Sequence, residues 1–282
     1  MDIKSKVKLN DGNEIPQLGY GTFQSKGVEA YQGVKDALEV GYIHIDTAAV
    51  YGNEVEVGQG IKDSGVNRED IFVTTKLWNE VRGYDETKDA LEQSLLRLGL
   101  DYVDLYLIHW PNPIKYRDNW KEMNALSWQA MEDLVKEGKV KSIGVSNFQV
   151  KHLDALLESA KVIPAVNQIR AIPSDLKEET VKYCQDKDIK IEAWSPLGQG
   201  ELLNNEVIVN IANKHGKTPA QVCIRWSLQE GYIPLPKSVH KQRIIENKDV
   251  YDFELTDEEM NEIKGIAQVL ENNSNNPDNI NY

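Results

Sequence analysis

Residues 85–109 read Asp85-Glu-Thr-Lys-Asp-Ala-Leu-Glu-Gln-Ser-Leu-Leu-Arg-Leu-Gly-Leu-Asp-Tyr-Val-Asp-Leu-Tyr-Leu-Ile-His109, two periodicities joined by a glycine. In the first half Leu91, Leu95 and Leu98 recur at i, i+4 and i+7, the spacing of one helical face. The run stops at Gly99, a residue that readily takes the left-handed turn closing a helix, and Asp85 stands where an N-cap is expected. From Tyr102 to Ile108 the pattern changes. Val103, Leu105 and Leu107 share one face of a strand, while Tyr106 and Ile108 occupy the other. A strand apolar on both faces belongs to a parallel sheet covered on both sides.

The same alternation extends in both directions. Tyr42–Ile45, Ile71–Thr74, Val140–Val145, Ala165–Ile169, Ile189–Ala193 and a short run near Ile233 read as further strands. Helical stretches lie between them. One runs from about Asn119 to Glu137, with Trp128, Met131, Leu134 and Val135 on one stripe and Gly138 as terminator; Val150, Leu153 and Leu157 mark another, and Thr218-Pro219 opens a third. Strand alternating with helix predicts an α/β fold. About eight such units fit the chain, and that number predicts a (β/α)8 TIM barrel. No Ser/Gly/Pro-rich linker divides the sequence, so residues 1–282 are expected to form a single domain. Before the barrel, Lys6–Leu9 and Glu14-Ile15 flank Asn10-Asp-Gly-Asn13 and predict an N-terminal β-hairpin. The polar tail 272–282, opening Asn272-Asn-Ser-Asn-Asn-Pro277, has too little apolar content to be expected to pack.

Composition narrows the partners. Hydrophobic residues make up 40% of the 282, enough for a sizeable core, and Lys plus Arg at 32 against Asp plus Glu at 45 leave a net charge of −13. That average field repels a phosphate backbone, so nucleic acid is not expected. The segment Met1–Asn10 lacks the apolar stretch of an export signal and charges interrupt every apolar run, so a cytoplasmic protein without a membrane span is expected. Cys184 and Cys223 read as two free thiols of a reducing compartment, and the five scattered histidines suggest no metal site. Nothing demands a dimer, and a monomer is expected.

In a barrel the working face lies at the carboxyl ends of the strands. Polar residues follow several apolar runs there: Asp46 and Tyr51 after Tyr42–Ile45, Lys76 after Ile71–Thr75, and His109 after Tyr102–Ile108. Singly each has an ordinary explanation as a cap, a half-buried aromatic, a solvated strand end or a core histidine. Together their chemistry interlocks. A lysine ammonium close to a phenol favours the phenolate, so Tyr51 becomes a usable acid. Asp46 supplies Lys76 with a counter-charge, and His109 can donate a hydrogen bond that aims a carbonyl oxygen. Phe23, Trp78 and Trp110 follow the first, third and fourth strands, where with His109 they could wall an apolar substrate pocket.

At this point the sequence resembles the aldo-keto reductases, in the manner of bacterial glyoxal, methylglyoxal and 2,5-diketogluconate reductases. The matching stretches are Gly19–Phe23, Ile45–Glu54, Thr75–Trp78, Asp104–Pro111, Gly144–Phe148, Val166–Gln168, Trp194–Gly198 and Pro236–Val239, in order along nearly the whole chain. The resemblance implies a catalytic tetrad at Asp46, Tyr51, Lys76 and His109, with Tyr51 as proton donor. It also implies a nicotinamide cofactor, with Trp194 stacking on the ring and Ser146, Asn147 and Gln168 meeting its carboxamide. Further cofactor contacts are implied at Ser195, Leu197, Gly198, Val239 and Asn247. Lys237, Ser238 and Arg243 follow the last strand, and two cations with a hydroxyl suit an adenosine 2′-phosphate, hence NADPH (NADP+) over NADH. The expected activity is NADPH-dependent reduction of a small-molecule carbonyl substrate, such as a 2-oxoaldehyde or keto-sugar. After Gln168 the chain departs from the family, with Ile169-Arg-Ala-Ile172-Pro173 where Glu and a His-Pro pair are usual. A Schiff-base aldolase using Lys76, and a non-catalytic barrel that binds NADPH and senses redox state, are the competing readings.

Overall fold

A computed structural model describes residues 2–267 and 276–281. Its first element is the hairpin. Strand β1 (Lys6–Lys8) pairs antiparallel with β2 (Glu14–Pro16), Val7 facing Ile15. The turn is closed by the Leu9 N–H donating to the Asn13 carbonyl at 2.8 Å, and Gly12 at φ +91° takes the left-handed position that such a turn requires. Leu9 and Ile15 are buried with Phe72, Leu105 and Ile233, so the hairpin stops the amino-terminal end of the barrel.

The chain then alternates strand and helix. It passes through β3 (Tyr20–Gly21), α1 (Val28–Glu39), β4 (His44–Asp46), α2 (Glu54–Asp63), β5 (Phe72–Leu77), α3 (Tyr84–Leu98), β6 (Val103–Ile108) and α4 (Trp120–Lys136). It continues through β7 (Val140–Ser146), α5 (Val150–Leu157), β8 (Val166–Ile169), α6 (Glu178–Asp186), β9 (Lys190–Trp194), α7 (Glu206–His215), α8 (Pro219–Gln229), β10 (Ile233–Leu235), α9 (Lys241–Lys248) and α10 (Asp257–Lys264). Strands β3 to β10 form one eight-stranded parallel sheet in sequential order. Closure comes from the Gly19 and Gly21 N–H groups, which donate to the carbonyls of Pro234 and Pro236 at 3.1 Å each. Glycine is needed at 19 because an added Cβ would lie 2.5 Å from Leu235 Cδ2 and 2.7 Å from His44 Nδ1. The result is the expected (β/α)8 barrel.

Two expectations are corrected. Helix α3 is capped by Gly83 at φ +115° rather than by Asp85, which lies in the first turn. The Gly83 N–H is already fixed by Ser127 Oγ at 3.1 Å, and its carbonyl accepts from Thr87 Oγ1. The tail also packs over residues 276–281. Ile280 is buried and its carbonyl accepts from Arg117 at 2.7 Å, while Asp278 accepts from Asn112 at 2.9 Å and pairs with His152 at 3.0 Å and with Lys151. One isoleucine and one well-partnered carboxylate suffice where mean polarity suggested none would. Residues 272–275 and 282 of that expected tail lie outside the described residues. Among the described residues no helix is long and apolar enough to cross a membrane.

Candidate active site

Asp46 ends β4, and the chain then makes the short turn Ala49–Tyr51, closed by Gly52 at φ +65°. Lys76 lies on β5 and His109 immediately follows β6. Lys76 is wholly buried, and its Nζ lies 2.8 Å from both oxygens of Asp46, 2.9 Å from the Thr47 carbonyl and 3.4 Å from the Tyr51 hydroxyl. Burial pushes its pKa down, but Asp46 beside it, by charge and hydrogen bond, outweighs that and holds the ammonium above the ordinary lysine value. An inaccessible ammonium with its hydrogens committed is suited to electrostatics, not to nucleophilic attack. The Tyr51 ring lies over the same Nζ at 5.1 Å and meets the His109 ring edge-on at 5.9 Å. Burial first, then the charges of Lys76 and Arg82, lower His109 well below the usual histidine range. It is a neutral imidazole at physiological pH.

These groups open into a cavity of ≈ 840 Å³ at the carboxyl ends of the strands, within the range of about 300–1,000 Å³ that small-molecule sites occupy. Phe23, Trp78, His109 and Trp110 line it, as do Asp46 and Tyr51. Phe23 packs against Tyr51 at 5.1 Å between ring centroids, and Trp78 against His109 at 5.2 Å. Two buried polar residues hold these walls. Arg82 donates to the carbonyls of Trp78 and Trp110 at 2.9 and 2.6 Å, joining the loops after β5 and β6. Asn53 donates to the carbonyls of Thr22 and Ser25 and accepts from Thr47 Oγ1, tying the loop that carries Phe23 to the one that carries Tyr51.

Of the expected cofactor contacts, Ser146, Asn147, Gln168 and Trp194 line the cavity, as do Ser195, Leu197, Lys237 and Arg243. Gly198, Ser238, Val239 and Asn247 do not line it. Gly198 packs on Leu202, the Ser238 carbonyl accepts from Tyr20, and Asn247 is buried in α9. The polar trio is wired internally. Trp194 Nε1 donates to Asn147 Oδ1 at 2.9 Å, Asn147 Nδ2 to the His109 carbonyl and Ser146 Oγ, and Ser146 Oγ to the Gln168 carbonyl. Asn147 and Ser195 each turn the chain at a strand end, with φ of +62° and +51°. Gln168 Nε2 is committed to two carboxylates, Asp46 at 2.8 Å and Glu192 at 3.0 Å. Gln168 therefore offers the cavity an acceptor oxygen. The donor set still fits a nicotinamide dinucleotide: a flat indole held by a hydrogen bond, an amide acceptor, and two cations, Lys237 and Arg243, on the same lining.

The departure after Gln168 has its own structure. Arg170 is buried and pairs with Asp175 at 3.3 Å, and Ile172 bridges Asp175 while filling the core. Sequence reading also passed over Glu192 and His44, both fully buried on the barrel's inner face. The signal was present, since each is an ionisable residue inside a run taken as an apolar strand.

Comparisons with known proteins follow the same lines. The Aldo/keto reductase family model matches residues 17–268. Over 265 residues the chain is 51% identical to the glyoxal reductase of Bacillus subtilis (strain 168), covering 94% of this chain and 93% of the relative. It is 46% identical over 264 residues to methylglyoxal reductase DkgA of Escherichia coli (strain K12), covering 93% of each. The crystal structure of a Bombyx mori aldo-keto reductase in complex with NADP superposes with a TM-score of 0.85 at 38% identity, covering 94% of this chain and 93% of that one.

Proposed function

We propose that this chain, an oxidoreductase that belongs to the aldo/keto reductase family, reduces small aldehydes and ketones to alcohols with NADPH, 2-oxoaldehydes and keto-sugars foremost. The observation that carries the reading is the Asp46–Lys76–Tyr51 arrangement opening into an aromatic-walled cavity beside a neutral His109. The glyoxal and methylglyoxal reductase relatives favour 2-oxoaldehydes as first substrates.

In this reading Trp194 and Gln168 hold the nicotinamide end of the cofactor, and Lys237 and Arg243 its adenosine 2′-phosphate. The bound cofactor supplies a hydride to the carbonyl carbon. The protein's own residues handle the oxygen. Tyr51 donates its hydroxyl proton to it as negative charge develops there, and Lys76 stabilises the phenolate left behind. Asp46 keeps Lys76 charged in a site where an unpaired ammonium would be costly. His109, neutral and with a ring N–H to offer, orients the carbonyl oxygen toward Tyr51. Phe23, Trp78 and Trp110 exclude water around the reacting carbon.

The test is loss of NADPH absorbance against a panel containing glyoxal, methylglyoxal, simple aldehydes and keto-sugars, with NADH in parallel. Stoichiometric alcohol formation with NADPH is expected. A panel that leaves NADPH unoxidised, although the cofactor binds, would instead favour the redox-sensing alternative.

A further inference from the structure

We infer that Glu192 is a positioning residue of this site: by taking the second amide hydrogen of Gln168 it fixes Gln168 against Asp46, with the acceptor oxygen toward the nicotinamide end of the cavity. The inference rests on the cofactor placement proposed above, and it concerns a residue outside the tetrad.

The argument begins with donor arithmetic. A carboxamide NH2 carries two hydrogens, and Gln168 Nε2 stands 2.8 Å from Asp46 Oδ2 and 3.0 Å from Glu192 Oε2. Both hydrogens are spent. Rotating the amide by half a turn would place its oxygen against two carboxyl groups, so the rotamer with Oε1 outward is selected twice over. With Leu in place of Glu192 one hydrogen loses its acceptor in a buried site, and Asp46 alone is left to hold the amide's orientation. A nicotinamide carboxamide presents an NH2, and it needs the acceptor that the observed orientation supplies.

The surroundings of Glu192 fit that service. It is wholly buried on β9, with Asp46 and His44 facing it from β4, Lys76 from β5 and the neutral Gln168 from β8; its register partner on β10 is Ile233. Burial first, then the nearby Asp46 charge, push its carboxyl up to about 8. Burial holds His44 down at about 3. Near pH 7 Glu192 is thus neutral and His44 unprotonated. Glu192 Oε1 lies 3.4 Å from His44 Nε2 without a hydrogen bond, that ring nitrogen meeting Thr74 Oγ1 at 3.3 Å, while Oε2 accepts from Gln168. The Lys76–Asp46 pair keeps a balanced charge, and Glu192 supplies an acceptor without adding a second anion.

The test compares binding of NADPH with that of 2′,5′-ADP, which carries the adenosine phosphates and lacks the nicotinamide. Glu192→Leu is expected to weaken NADPH about tenfold and leave 2′,5′-ADP within about twofold, since a buried amide hydrogen loses its acceptor. Glu192→Gln, which keeps an oxygen where Oε2 lies, is expected to restore NADPH binding to near wild type. Equal loss of both probes, loss of neither, or a Gln variant as weak as the Leu variant would overturn the inference. Should Glu192→Leu not fold, Glu192→Ala, too short to reach Gln168, must show the same selective loss. A wild type that binds NADPH through its nicotinamide yet reduces no carbonyl removes the reductase reading and leaves the role of Glu192 standing.

Discussion

The Nζ of Lys76 stands 2.8 Å from each carboxylate oxygen of Asp46, and neither side chain is more than slightly exposed. Two charges this deep are tolerated only as a pair, and Asp46 is what keeps the buried Lys76 charged. Lys76 reaches Tyr51 at 3.4 Å from the same position, and in the proposed mechanism this makes the ion pair a control on a phenol. The consequences of separating these roles can be measured.

Tyr51→Phe removes the hydroxyl and keeps the ring packed on Phe23. NADPH affinity is expected to stay within about twofold, while turnover falls by about 10²–10⁴, the usual contribution of a positioned proton donor. Turnover near wild type would remove Tyr51 from its assigned role.

Lys76→Met leaves Asp46 as a buried charge without its cation. Urea unfolding should show a loss of about 3–5 kcal/mol, as when one partner of a buried pair is removed. Pairing it with Asp46→Asn should recover most of the stability and none of the turnover. Recovered turnover in the double variant would contradict the electrostatic role of Lys76.

Arg243, exposed on α9 beyond the last strand, lines the cavity. Its replacement by Ala should weaken NADPH by about 1.5 kcal/mol or more, the worth of a hydrogen bond to a charged group. NADH affinity should be unchanged. The same loss for both cofactors in parallel titrations would rule out a 2′-phosphate contact.

His44 is held neutral by burial, with its pKa lowered to about 3. Its unfolded counterpart titrates near 6.5, so the stability it confers is complete above that pH and declines as pH falls toward 3. Between pH 6.5 and 5 the wild type should lose about 1.6 kcal/mol more than His44→Gln, the slope rising from half of about 1.4 kcal/mol per pH unit toward its full value. Parallel declines for the two proteins in urea unfolding would contradict a buried neutral histidine.

The alternation of period was enough to identify the architecture. Leu91, Leu95 and Leu98 followed by the two-faced strand at 103–108 describe one βα unit, and its recurrence implies a barrel because parallel strands need crossover helices on their outer side. The helix cap at Gly83 was not legible, since it depends on Ser127 approaching from α4. Nor was the docking of Ile280 and Asp278, whose partners lie more than a hundred residues away.

The candidate site divides in the same way. Asp46, Tyr51, Lys76, His109 and the three aromatic walls stood out because strand ends in a barrel converge whatever lies between them, and order along the chain fixes which mouth they share. The sequence by itself determined the residue types at that mouth and the charge of the chain. Only the tertiary structure decided which hydrogen of Gln168 meets which carboxylate, that Asn147 is spent on Trp194, and that Glu192 and His44 lie under the site. Hydrogen bonds across a barrel join residues from different strands, and their ångström-scale geometry depends on the stagger of those strands, which no single strand's pattern contains.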